Sequence, residues 1–251
     1  MDARLELVEA AAFASLHNAA PVLQIAGATC YATPALPDSV MLNRVVALGV
    51  TGPVGDATLD EIDAFFRGAG VRYGVSLAPG ADATLDARLR GRGFADGYAW
   101  MKFRRGVEPA PEAAGLRVEE TLDGEAFGST VAAAYGLPPA GAAVFRGLAG
   151  QPGWHLFLAW DGDEPAGAAA LFVRGEVAWL GGAGTRPEHR GKGAQTALLA
   201  ARIERARALG LQALTTETGE RVPDRPSGSY RNIVRAGFAE AYLRPNLVSP
   251  G

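Results

Sequence analysis

One order of elements occurs twice along the 251 residues, and it limits the fold more than any other feature. In the C-terminal half a helix is expected to end at Leu209-Gly210. A strand over Leu211–Glu217, a polar loop, a helix over Ser229–Ala236, Gly237-Phe238 and a final strand follow. In the N-terminal half a helix near Leu59–Arg67 ends at Ala69-Gly70. A strand over Val71–Leu77, a loop, a helix over Ala83–Arg90, Gly93-Phe94 and a strand over Tyr98–Phe103 follow. Self-similarity of this kind points to duplication. Glycine after each helix is physically apt, because a left-handed residue closes the last turn without a Cβ clash.

Between the copies, Arg105–Gly115 is rich in Pro, Ala and Glu and poor in large apolar side chains, which reads as a linker. The expected organisation is residues 1–105, a linker over 106–115, and residues 116–251. In the last of these, strands are expected over Leu116–Glu120, Trp154–Trp160, Ala166–Val173 and Glu176–Gly184, with helices over Glu125–Ala134 and Ala142–Leu148. The helix after residue 193 repeats Thr196, Leu199, Ile203 and Ala206 at helical spacing, with Arg202, Glu204 and Arg205 expected to point away. The fold class is α/β, mixed sheets with helices on their faces.

Composition narrows the function. Net charge is −3 with no basic block, which speaks against a nucleic-acid partner. No apolar run approaches the roughly 18 residues of a membrane span, and the acidic N-terminus does not resemble a signal peptide. Cys30 is the single cysteine, so no intrachain disulfide is expected and a cytoplasmic location fits; a small buried hydrophobe is its expected role. His17, His155 and His189 show no metal-ligand spacing, and no metal is expected. Arginine outnumbers lysine 22 to 2, and Lys192 is one of the two.

Lys192 lies in the segment that carries chemistry. A strand ending near Thr185 leads through Arg186-Pro-Glu-His-Arg190 into Gly191-Lys192-Gly193-Ala194-Gln195 and the amphipathic helix. The first N–H groups of a helix lack partners and sit at the positive end of its dipole. Gly191 and Gly193 let the backbone approach a ligand, and Arg190 and Lys192 add charge, so the turn suits a diphosphate. A Walker loop would need glycine where Arg186 stands, and a dinucleotide fingerprint would need glycine where Thr196 stands. An NAD-type oxidoreductase is disfavoured accordingly.

These residues resemble the GNAT (GCN5-related N-acetyltransferase) superfamily. The resemblance rests on Pro187–Arg190, Arg190–Gln195, Thr196–Leu199 and the later Asn232–Phe238, and spans about Leu116 to Val248. The N-terminal half is similar to a degenerate second copy, so the resemblance implies two GNAT-like domains in tandem. It implies that acetyl-CoA is the co-substrate. Ala183, Gly184 and Thr185 would meet the pantetheine arm, Arg190, Gly191, Lys192, Gly193, Ala194 and Gln195 the diphosphate, and Ser229 and Asn232 the cofactor from the following helix. Gln195 departs from the usual Gly or Ala. The tyrosine that many members place four residues before the Gly-Phe glycine is Ile233 here. Tyr230 is a weak candidate acid and Glu217 the candidate base. Tyr135, Phe145 and Trp154 are candidates for the acceptor pocket.

The N-terminal half carries Asp56, Asp60 and Glu61 in place of cations, and no cofactor is expected there. The resemblance implies an N-acyltransferase acting by direct transfer to a small-molecule amine or peptide. The alternative is a non-catalytic acyl-CoA-binding sensor or regulatory module. The acceptor, the acyl length and the oligomeric state are not written in the sequence.

Overall fold

The computed structural model describes residues 2–18, 20–112, 115–222 and 227–251. Residues 113 and 114 of the expected linker and 223–226 of the expected polar loop lie outside them. The chain forms two compact units, Met1–Met101 with Tyr242–Gly251, and Lys102–Ala241. The boundaries differ from a division at residues 106–115. The N-terminal half gives up its last strand, and the C-terminal half gives up its final ten residues.

The first half runs α1 (Arg4–Ala14), β1 (Val22–Ile25), β2 (Ala28–Tyr31), β3 (Arg44–Val46), α2 (Asp56–Ala69), β4 (Gly74–Ser76), α3 (Leu85–Gly91), β5 (Ala95–Asp96) and β6 (Trp100–Arg105). The second runs β7 (Arg117–Thr121), α4 (Gly124–Tyr135), α5 (Pro139–Arg146), β8 (Trp154–Asp161), β9 (Glu164–Arg174), β10 (Val177–Thr185), α6 (Ala194–Ala208), β11 (Ala213–Gly219), α7 (Gly228–Arg235), β12 (Ala239–Arg244) and β13 (Asn246–Val248). One sheet has the order β5-β13-β4-β3-β2-β1, the other β12-β6-β11-β10-β9-β8-β7. The orders correspond strand for strand, with β7 extra. β13, the last strand of the chain, pairs antiparallel with β4 and β5. β6 fills the matching place in the seven-stranded sheet, beside β11. Each sheet therefore contains one strand from the other sequence half.

The repeated grammar extends to single hydrogen bonds. After α2, Gly70 has φ 67°, and the N–H of Val71 donates to Phe66 O at 3.2 Å. After α6, Gly210 has φ 70°, and the N–H of Leu211 donates to Ala206 O at 3.1 Å. The ends of α3 and α7 match likewise: Phe94 N–H donates to Leu89 O at 3.1 Å and Phe238 N–H to Ile233 O at 3.3 Å. All four are the six-to-one bond that a left-handed glycine permits. Because Leu211 is spent closing α6, β11 starts at Ala213, two residues later than the apolar pattern suggests.

Each unit buries charge that the sequence pattern does not reveal. On α1, Glu6 and Glu9 are fully buried. Arg244 Nη1 donates to Glu6 Oε2 at 2.9 Å and to Glu9 Oε2 at 2.7 Å, and Arg44 Nη2 donates to Glu9 Oε1 at 3.1 Å. Buried charges persist when paired in this way. Cys30 is buried in the same unit's core, which pushes its thiol up to about 12 and makes it a packed hydrophobe.

The face of α6 needs a correction. Arg202, expected to point away with Glu204 and Arg205, is 2% exposed. Its Nε donates to Leu198 O at 3.0 Å and its Nη1 to Ala170 O on β9 at 3.2 Å. The small side chains of Gly167, Ala168, Ala169 and Ala170 leave depth for the long arm, and burial pulls the guanidinium down to about 9.

Candidate functional site

The site begins where two parallel strands part. β10 and β11 pair from Val177↔Ala213 to Leu180↔Thr216 and no further. The pairing of β10 with β9 slips between Gly181 and Gly184, and Gly182 has φ 53°. A bulge bends its strand and turns it from its partner. The freed segment Ala183-Gly184-Thr185 lines a cleft of about 640 Å³. Gly184 is required there: a Cβ would stand 2.5 Å from that of Ala134 on α4. Tyr135, also in the cleft wall, donates its hydroxyl to Ala183 O at 2.9 Å.

The second wall is the start of α6. Gly191 and Gly193 have φ 83° and 85°, a backbone that other residues reach only with strain. Arg190, Gly191, Gly193, Ala194, Gln195 and Thr196 line the cleft. Ala197 N–H makes the first intrahelical bond, to Gly193 O, so the earlier amides have no helical acceptor.

The third wall is α7. Ser227 caps it, accepting from Tyr230 N–H at 3.1 Å. Gly228, Ser229, Arg231, Asn232 and Arg235 face the cleft. Asn232 Nδ2 donates to Gln195 Oε1 at 2.8 Å. The glutamine that departs from the motif is thus held by the neighbouring helix. No carboxylate lines the cleft among the described residues.

Most of the expected contact residues meet here: Ala183, Gly184, Thr185, Arg190, Gly191, Gly193, Ala194, Gln195, Ser229 and Asn232. Lys192 does not. Its ammonium pairs with Asp161, which also meets His189 Nδ1 at 2.9 Å; these two partners hold the Asp161 carboxyl below its usual range. The cleft's positive charge comes instead from Arg190, Arg231 and Arg235. Sequence reading missed the last two, although they stand four residues apart on one helix, on either side of Asn232.

Tyr230 is also corrected as an acid candidate. It is buried, packs edge-on against Phe103 at 4.9 Å and bonds through its hydroxyl to Glu240. Burial first, then Glu240, pushes the phenol up to about 12. It does not line the cleft. Ile233, at the family's tyrosine position, is buried.

Glu217 follows Thr216, the last residue of β11 paired with β10, and is nearly buried. Lys102 Nζ donates to Oε2 at 3.0 Å, and Trp179 Nε1 to Oε1 at 3.1 Å and Oε2 at 3.0 Å. Lys102, the chain's other lysine, is fully buried on β6. No local pattern pointed to it, because β6 is remote in sequence. Of the candidate aromatics, Tyr135 reaches the cleft, whereas Trp154 packs on Phe172 and Trp179. Among the described residues no cluster of three His, Cys, Asp or Glu could hold a metal, and no helix is long and apolar enough to cross a membrane.

Residues 125–224 match the Acetyltransferase (GNAT) family. A GCN5-related N-acetyltransferase from Kribbella flavida shares the fold with a TM-score of 0.68 at 19% identity, over 100% of this chain and 96% of that one. A tandem GNAT protein from the clavulanic acid biosynthesis pathway aligns with a TM-score of 0.58 at 15% identity, over 99% and 95%. A GCN5-related N-acetyltransferase from Sphaerobacter thermophilus aligns with a TM-score of 0.60 at 15% identity, over 83% and 73%. No curated protein matches the chain. Residues 125–224 thus carry the match to the GNAT acetyltransferase family, in a chain that shares the fold of a tandem GNAT protein.

Proposed function

We propose that this protein is an N-acyltransferase that moves an acetyl group from acetyl-CoA to the amine of a small molecule or peptide. One observation carries the proposal: a strand edge freed by a bulge, a glycine turn into a helix start and three guanidiniums share one cleft with no carboxylate among its described lining residues. The residues fit coenzyme A. Amides of the turn from Arg190 to Gln195 would hold its diphosphate. The backbone of Ala183–Thr185 would pair with the pantetheine amides, with Ser229 and Asn232 opposite. When bound, the thioester supplies an activated acyl carbonyl.

The chain's own groups do the rest. Backbone N–H groups over Ala183–Thr185 offer charge stabilisation to a developing oxyanion. A lysine-like amine of pKa about 10.4 is neutral in only about one molecule in 10³ near pH 7.4, so a proton must leave it. We assign that proton to Glu217, which lies outside the cleft lining and would take it through a water. Its carboxylate offers about four lone-pair sites, and the Lys102 and Trp179 bonds leave room for one more donor. Ile233 and the engaged Tyr230 hydroxyl leave the leaving thiolate without the family's tyrosine acid. This favours a second reading, an acyl-CoA-binding regulatory module that does not turn over.

An acceptor library screened for thiol release separates the two. Turnover with an acceptor, falling about 10²-fold or more in Glu217→Gln while acetyl-CoA affinity holds, supports the enzyme. No thiol release with any acceptor, despite tight acetyl-CoA binding, supports the module. Because Glu217→Gln leaves Lys102 with a changed partner, the double variant Lys102→Met/Glu217→Gln controls for folding.

A further inference from the structure

We propose that Arg231 and Arg235 form a phosphomonoester subsite on α7, which reads the 3′-phosphate of coenzyme A and so distinguishes it from the 3′-dephospho form. The inference rests on the coenzyme A reading of the cleft and assigns two residues that the phosphate-turn motif does not include.

Arg231 and Arg235 are four residues apart on α7, so their side chains neighbour each other on one face. That face looks into the cleft, because Gly228, Ser229 and Asn232 line it too. Neither arginine forms an ion pair among the described residues, although this chain pairs many of its other arginines. Arg44, Arg88, Arg90, Arg92, Arg207 and Arg244 all meet carboxylates. Among the described residues no carboxylate lines the cleft to satisfy either one.

Charge accounting separates this pair from the diphosphate site. The start of α6 already provides turn amides, the helix dipole and Arg190 for two phosphodiester-like charges. Two further guanidiniums on another helix exceed that need. A phosphomonoester carries about −1.5 to −2 charges at neutral pH and three acceptor oxygens, which two neighbouring planar forks can share. The Asn232–Gln195 hydrogen bond of 2.8 Å links α7 to the first turn of α6, so a single ligand can touch both helices. The bland alternative is that both are solvated surface charges, with Arg235 complementing the helix C-terminus.

The test is calorimetric titration of the full chain with coenzyme A and with 3′-dephospho-coenzyme A. Wild type is expected to bind coenzyme A about tenfold or more tightly. Arg231→Gln/Arg235→Gln is expected to erase that preference, with a loss for coenzyme A about tenfold larger than any loss for 3′-dephospho-coenzyme A. Both substitutions are at exposed positions, and circular dichroism checks that the variant folds. Equal wild-type affinities for the two ligands overturn the subsite but leave the coenzyme A reading standing. An equal loss for both ligands in the variant overturns it as well, placing the arginines at the diphosphate or in the scaffold. Binding of neither ligand to wild type overturns both the subsite and the coenzyme A reading.

Discussion

The starts of α2 and α6 occupy equivalent places in the two units, and their chemistry is opposite. α6 follows a turn with two left-handed glycines, opens onto a cleft and has three guanidiniums nearby. α2 starts at Gly55-Asp56, in extended backbone at φ −79°. Carboxylates and the arginines that pair with them stand beside it. Asp82 Oδ2 accepts from Val54 N–H at 3.0 Å, and Arg88 donates to Val54 O at 2.5 Å and to Asp56 Oδ1 at 2.6 Å. Arg92 reaches Asp60 at 2.8 Å and Asp63 at 3.0 Å. One duplicated helix start thus lines a cleft beside guanidiniums, while the other stands among carboxylates and the arginines that pair with them. Helix-start geometry alone does not make an anion site. What separates the two starts is the charge that surrounds them.

The comparison can be broken by carrying the character of one start to the other. The largest effect is expected from Arg190→Glu, which places a carboxylate beside the α6 turn as α2 has it. Coenzyme A affinity should fall about a hundredfold in calorimetric titration. Unchanged affinity would show that charge around the turn is not what separates the two units.

A smaller effect is expected from packing. Gly184→Ala would bring a Cβ to 2.5 Å from Ala134 Cβ, so strand or helix must shift, at a cost of about 1–3 kcal/mol in denaturant unfolding and with weaker coenzyme A binding. Gly55→Ala, ahead of α2, meets nothing within 4 Å and should stay within about 0.5 kcal/mol of wild type. Equal responses at the two positions would contradict a close approach special to the cleft.

The smallest effect tests the acidic start. Asp82 is held down to about 2 from 3.8, first by Val54 N–H and then by Thr84. A carboxyl depressed on folding stabilises above its unfolded pKa and loses that contribution as pH falls through the folded value. The unfolding midpoint of Asp82→Asn should therefore lie below wild type at pH 6, and the gap should narrow between about pH 4 and pH 2. A gap independent of pH would show that the carboxylate charge does not close the loop before α2.

Local chemistry was legible in the sequence where it depended on neighbours in the chain. The glycines after α2, α6, α3 and α7 marked their helix ends, because a left-handed closing residue is a local requirement. The Arg190–Gln195 turn and the Ala183–Thr185 segment meet in one cleft, since strand, turn and helix are consecutive. Residues whose roles depend on distant partners were not legible. Lys192 looked like a phosphate ligand until Asp161, at the end of β8, took its ammonium. Tyr230 looked like an acid until Glu240 engaged its hydroxyl. Arg202 looked solvated, but the row of small residues on β9 made room for it.

The sequence by itself determined the duplication, the α/β class and the turn that begins α6, since periodicity, glycine placement and charge act over a few residues. Only the tertiary structure decided which strand completes which sheet. The slot beside β11 goes to β6, which brings Lys102 to Glu217, and the slot beside β4 goes to β13. Strand pairing is a backbone interaction that any extended segment of suitable register can satisfy, so a half's own last strand and its counterpart look alike in sequence. What separates them is side-chain burial against partners more than a hundred residues away, and no local pattern encodes that.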